Sequence, residues 1–189
     1  MTQLDTTTTV KLPTPGVYKV DPYHSEVGFV ARHLIGTRVR GRFSRFDGTF
    51  TVTDEPENST LEATVEAESI ETGVEMRDNH LRNNDFLDVP DYPTIILKST
   101  GLTKVSDTEW KLAADLTMRG VTKPVVFDLE CHGSGPGIQA DSEVAGFSAS
   151  TEIDRRDWGV SFNGVLEGGA IVVGNKVRIE LEIEAVLQK

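Results

Sequence analysis

Three small groups of polar residues in this chain have the types and spacing to carry chemistry. Asp21, His24 and Ser25 stand together in V-D-P-Y-H-S, bringing an acid, an imidazole and a hydroxyl close in sequence. Arg77, Asp78 and His80 open the run R-D-N-H-L-R-N-N-D-F-L. A cation, a carboxylate and a titratable ring there could orient a polar head group or act as general acid and base. Arg155 and Asp157 lie in I-D-R-R-D-W-G-V before a glycine-containing stretch, and Asp154 with Asp157 raises the idea of a two-carboxylate hydrolase.

Structural work competes with each of these. Asp21, His24 and Ser25 suit a hydrogen-bonded corner at a strand start. Asp78 suits capping of the backbone amides that follow it, and Arg77 suits pairing with a carboxylate. Three-residue spacing in a loop is a weak case for paired catalytic carboxylates. The four histidines, His24, His33, His80 and His132, fall on separate segments with no pair at i, i+4 on a helix, so no metal site is expected. The one cysteine, Cys131, leaves no internal disulfide and no cysteine-built metal site. It shares parity with Val125, Phe127 and Leu129, which predicts a buried thiol. No G-x-S-x-G elbow is present. No catalytic residue and no cofactor is assigned.

The segments that must position these groups are overwhelmingly strands. In Lys176 to Glu184 every second residue is aliphatic and the rest are charged. Successive side chains of a strand point to opposite faces, so this run has one dry face and one wet face. The same alternation runs through His24 to Leu34, Val39 to Phe43, Phe50 and Val52, and Leu61 to Ala67. It resumes from Ile95 to Ser99, then through Trp110 to Leu116, Val125 to Leu129 and Ala145 to Ala149. Asp21-Pro22 predicts a kink, Phe46-Asp47-Gly48 a turn or bulge, Met118-Arg119-Gly120-Val121 a tight hairpin and Gly133 to Gly137 a loop. Asp154 to Gly174 reads as irregular. The rhythm breaks between Glu71 and Asp91, where Met76, His80 and Leu81 are spaced for one face of a short helix that Pro90 and Pro93 would end. About eight long strands, each with one apolar face, need a shared interior, which a small antiparallel barrel provides.

Charge and composition narrow the partners. The 189 residues make about one domain. The formal net charge of -11 repels phosphate backbones, so nucleic acid is not expected. Arg38, Arg40 and Arg42 recur at period two and read as one solvated strand face. No run approaches the roughly 20 apolar residues of a membrane span. Residues 1–15 are rich in threonine, without a basic start and apolar core, and read as a disordered arm on a cytoplasmic protein ahead of a barrel over residues 16–189.

The inward set mixes large residues (Phe29, Phe43, Phe50, Trp110, Phe127, Phe147) with small ones (Ala31, Gly41, Ala63, Ala67, Ala114, Ala149). Strands of ten residues at about 3.3 Å rise and around 40° tilt give a barrel on the order of 25 Å tall. Either the side chains interdigitate into a solid core or they leave a narrow apolar tunnel. A tunnel would select a thin hydrocarbon chain. Burying roughly 500 Å² of it yields on the order of 12 kcal/mol gross at about 25 cal/mol/Å². Association and ordering costs are then subtracted.

The ordered set of short motifs resembles one family. V-D-P-Y-H-S, V-R-G-R-F, A-E-S-I-E-T, the R-D-N-H-L-R-N-N-D-F-L insertion, Tyr92-Pro93, L-T-M-R-G-V-T-K-P-V and I-D-R-R-D-W-G-V follow one another between about Gly16 and Leu187. Together they resemble the YceI-like, lipocalin-like polyisoprenoid-binding proteins. The resemblance implies an extended eight-stranded antiparallel β-barrel with a short helical insertion, commonly a homodimer. Its lumen would bind isoprenoid quinones, prenyl phosphates or related long amphiphiles. Many relatives carry an export signal that is not seen here, and most have an aromatic where this chain has Leu97. The expected lining is Val27, Phe29, Phe43, Phe50, Val65, Leu97, Trp110, Leu116, Phe127 and Phe147, with Arg77, Asp78 and His80 as head-group contacts. The expected function is non-catalytic binding of a long-chain isoprenoid or fatty lipid, whether for carriage, storage or sensing. The alternatives are an enzyme that acts on such a lipid through the insertion, and a stress-linked structural protein with a filled core.

Overall fold

The computed structural model describes residues 10–34, 36–139, 141–164 and 172–189. The chain forms β1 (Gly16–Val20), β2 (Glu26–His33), β3 (Thr37–Phe43), β4 (Phe46–Val52), β5 (Thr60–Glu66) and β6 (Ile70–Glu71). Helix α1 (Glu75–Arg82) follows, and then β7 (Thr94–Lys104), β8 (Glu109–Met118), β9 (Val121–Pro136), β10 (Glu143–Asp154) and β11 (Val173–Leu187). All pairings are antiparallel, in the order β1-β4-β5-β7-β8-β9-β10-β11-β2-β3-β6, and β1 also pairs with β11.

These eleven segments form eight staves. β1 and β2 lie end to end along β11, since Val20 faces Ala185 and Glu26 faces Glu182. β3 and β4 continue one another beside them, as do β5 and β6. The barrel therefore closes through β1, β4 and β5 at one end. At the other end β7 starts at Thr94, opposite Glu66, and β6 pairs with β3. The insertion around α1 fills the place where a longer β7 would run. Arg82 serves as the substitute edge, its guanidinium donating to Glu68 O at 2.8 Å and Ile70 O at 2.7 Å. Those carbonyls would otherwise be orphans at a sheet edge.

The expected kink at Asp21-Pro22 is the break between β1 and β2. It takes residues 21–25 out of the ladder and would strand the backbone of Glu184. Ser25 Oγ accepts from Glu184 N at 3.0 Å, and Glu184 O accepts from Asp21 N at 2.9 Å. His24 Nδ1 and Asp21 Oδ2 are 2.8 Å apart. The corner reading of these residues matches this geometry.

Several turn expectations need correction. Phe46-Asp47-Gly48 lies within β4. A Cβ on Gly48 would come 3.0 Å from Val20 and 3.4 Å from Ala63, so this glycine permits close packing between staves. Gly133 to Pro136 belong to β9, and the bulge in the β9–β10 ladder falls at Gly146/Phe147, across from Gly133 at φ 106°. The Arg119-Gly120 hairpin is as expected, with positive φ at both residues (49° and 69°). Residues 10–15, expected in a free arm, lie against the sheet. Ser134 donates from its backbone N to Lys11 O at 2.9 Å and from Oγ to Leu12 O at 3.2 Å. The first nine residues of that expected arm fall outside the described residues, as do residues 165–171 of the stretch read as irregular. Among the described residues, no helix is long and apolar enough to cross a membrane.

Candidate functional site

Alternation brings the inward faces of all eight staves onto one interior, and that interior holds a cavity of about 360 Å³. All ten residues expected to line a lumen border it, from Val27 and Phe29 on β2 to Phe147 on β10. They differ in depth: Trp110, Leu116 and Phe127 are buried, while Val27, Phe29, Phe43, Val65 and Leu97 are partly buried. Of the small inward residues, Ala31, Ala63 and Ala149 border the cavity; Ala67 and Ala114 are packed among neighbours. Gly41 makes room for an aromatic. Phe29 faces it across the β2–β3 ladder, and a Cβ there would lie 2.3 Å from the Phe29 ring.

One end carries an aromatic cluster. Tyr18 stacks on Phe50 with centroids 5.3 Å apart, and Phe50 meets Phe147 edge-on at 5.1 Å. Glu143 anchors the segment that crosses this end, accepting from Thr14 N at 2.9 Å, Thr14 Oγ1 at 2.6 Å and the Tyr18 hydroxyl at 2.9 Å. The Thr14 hydrogen bonds pull the Glu143 carboxyl down to about 2, while burial and Glu143 push the Tyr18 phenol up. Leu12 and Pro13 of this segment border the cavity. Sequence reasoning missed them, although they are the apolar pair in a threonine-rich stretch.

The other end is formed by the insertion and the segment after β10. Leu81, Phe86 and Leu87 border the cavity, and Phe86 and Leu87 are buried. Sequence reasoning placed Leu81 only on a helix face and missed Phe86 and Leu87, which follow a polar Asn-Asn-Asp run without strand rhythm. Arg77, Asp78 and His80 do not border the cavity. Asp78 is buried and accepts from Thr72 N at 2.9 Å and from the Thr72 hydroxyl, so it ties back to the preceding segment and does not cap following amides. Arg77 donates to Thr72 Oγ1 at 2.6 Å and Thr72 O at 2.9 Å, where a carboxylate partner was expected. His80 Nε2 lies 2.9 Å from Asp85 Oδ2, with its ring edge-on to Phe86 and Phe162. Met76, expected beside His80 and Leu81, is 81 % exposed.

Arg155 borders the cavity and is 4 % exposed. Asp157 is exposed, and Asp154 is held by the fork of Arg156 at 2.9 and 2.7 Å, which draws its carboxyl down to about 2. No shared two-carboxylate site results. Trp158 beside them is buried and donates from Nε1 to Leu116 O at 3.0 Å. Cys131 borders the cavity as a buried thiol whose pKa burial pushes up. Two of the outer arginines are paired on the surface, Arg40 with Glu180 at 3.1 Å and Arg42 with Glu71. Among the described residues, Asp21, His24 and Glu184 bring potential metal-ligand atoms within 4.8 Å of one another, which separate sequence positions had hidden. The His24–Asp21 hydrogen bond already uses the shared nitrogen.

The arrangement can enclose a slender apolar chain and offers, among the described residues, one buried cation near one end. Comparison with known proteins agrees with this geometry. A model of the YceI-like domain matches residues 18–185. A UPF0312 protein of Staphylococcus aureus is 35 % identical over 169 residues, covering 88 % of this chain and 95 % of its own length. Among solved structures, the Campylobacter jejuni YceI protein is 25 % identical with a TM-score of 0.72, covering 84 % of this chain and 90 % of its own. A polyisoprenoid-binding domain from Saccharophagus degradans implicated in plant cell wall breakdown shares the fold, with a TM-score of 0.67 and 13 % identity over 93 % of this chain and all of its own. Barrel, insertion and match across nearly every stave place this chain in the YceI-like domain family.

Proposed function

We propose that this protein binds a long apolar chain, an isoprenoid or a related fatty lipid, inside its barrel and performs no reaction on it. The observation that carries this reading is the cavity: about 360 Å³, running between the two ends of one barrel and walled almost wholly by hydrocarbon side chains. Ligand pockets fall at about 300–1,000 Å³, and such a wall favours a thin apolar guest over a polar one. The kinship with a polyisoprenoid-binding domain supports the same guest class. The ten expected lining residues would supply apolar contact. No observation favours an enzyme at Arg77, Asp78 and His80, since those side chains hold Thr72 and Asp85 and stand away from the cavity. Whether the guest is carried, stored or sensed belongs to the same reading, as do a homodimeric state and a cytoplasmic address. Light scattering and cell fractionation test the last two.

Native mass spectrometry of protein purified from its own host tests the binding directly, with a co-purifying lipid as the expected result. The matching variant is Ala63→Trp with Ala149→Trp, which fills the cavity from opposite walls. It should fold and lose lipid uptake. A folded variant with undiminished uptake would overturn the reading.

A further inference from the structure

We propose that the lumen accepts a chain ending in an oxyanion, a carboxylate or a phosphate monoester, and that Arg155 binds that end; this rests on the lipid-binding reading above. Among the described residues, two charged ones border the cavity, Arg155 and Asp47. Asp47 is exposed on the outer face and pairs with Lys19 at 3.2 Å. Arg155 is 4 % exposed, and among the described residues no carboxylate lies within ion-pair distance of it. Its acceptors are neutral: Val160 O at 2.6 Å, Gly174 O at 3.1 Å, Val173 O at 3.4 Å and Asn175 Oδ1 at 3.5 Å. The neighbouring acid Asp154 is committed to Arg156.

A buried cation without a counter-ion is costly even when carbonyl dipoles surround it. Pinning the chain between β10 and β11 needs hydrogen-bond donors and no net charge. The charge gains a purpose when an anion arrives in this apolar surrounding, where electrostatic attraction is strong. Burial lowers the pKa of the guanidinium and outweighs the opposing pull of Asp154, whose carboxylate is held by Arg156. The hydrogen bonds leave capacity as well. A guanidinium has five N–H donors in a fork that fits two oxygens at once. In Arg155 both contacts from one terminal nitrogen are long, and the other terminal nitrogen makes one contact. Val160 and Val173, whose carbonyls hold the fork, border the same cavity. A quinone or alcohol head would gain a neutral hydrogen bond there, whereas an oxyanion would neutralise the charge.

Matched pairs test this on the delipidated full chain, with displacement of the uncharged fluorophore N-phenyl-1-naphthylamine as the readout. The pairs are hexadecanoate against hexadecanol, and geranylgeranyl phosphate against geranylgeraniol. Salt near physiological strength screens the net charge of -11. In at least one pair the anion should displace the probe at about 10- to 100-fold lower concentration than its neutral partner. Arg155→Met should abolish that advantage and leave neutral-chain binding in place, while Arg155→Lys retains part of it. The pair that shows the gain distinguishes a fatty acid from a prenyl phosphate. Equal displacement by anion and alcohol in the unaltered protein overturns the proposal, and this comparison stands even if Arg155→Met fails to fold. An advantage that survives intact in folded Arg155→Met also overturns it. Failure of all four chains to displace the probe would overturn the lipid reading and this proposal with it.

Discussion

Two walls of this barrel follow the same alternation and are filled differently. On the β8–β9–β10 wall, Leu112, Ala114, Leu116, Val125, Phe127, Ala149, Ile153 and Trp158 form one fully buried cluster. On the facing wall, Val27, Phe29, Ala31, Val39, Phe43, Ala63 and Val65 share the inward parity and remain only partly buried. Parity determines which way a side chain points; the presence of a neighbour on its far side determines how much it contributes. Trp158, arriving from outside the strand pattern, fills the first wall, whereas on the second Ile70 and Leu87 of the insertion region pack against Phe29 and Phe43 at one end.

The largest test of this contrast is truncation of one phenylalanine on each wall. Phe127→Ala should lose about 3–5 kcal/mol of unfolding free energy in urea titrations. Phe29→Ala should lose about half as much, because part of its ring already lacks contacts. Equal losses would mean that the hollow wall is filled in solution. Arg82→Ala should follow, removing about 1–2 kcal/mol from the β6 edge that Arg82 substitutes for. Hydrogen exchange should rise across residues 68–71 and stay unchanged across residues 60–66. The end held by Glu143 provides a pH test. The carboxyl of Glu143 is held near 2 against an ordinary 4.5, so its contribution is present above about 4.5 and is lost as pH falls toward about 2. Glu143→Gln should flatten that limb of a stability-against-pH curve. The smallest effect should come from Arg40→Ala on the outer face, within about 0.5 kcal/mol in the same titration, although Arg40 reaches Glu180.

Much of the barrel was legible in the sequence because period two is a direct readout of facing. The ten expected lining residues border the cavity for that reason. What alternation leaves open is volume. Ala63 and Ala114 read alike, yet one borders the hollow and the other is packed tight, since that depends on partners far away in sequence. Glycines misled for a related reason: Gly48 marks a close approach inside a strand and was read as part of a turn. The insertion resisted most. Arg77, Asp78 and His80 drew attention by residue type, whereas the side chains that reach the lumen, Leu81, Phe86 and Leu87, lie where no single period applies. Arg155 stood out in the sequence together with Asp157, and burial separates it from both Arg156 and Asp157.

The short β7 has a mechanical consequence. Elsewhere around the barrel, parting two staves means breaking a ladder of backbone hydrogen bonds. Beside β6 the join is held by a helix, one guanidinium fork and apolar packing. Parting that seam would displace side chains and leave every strand pairing intact, so the wall is weakest where its ladder is replaced by side chains.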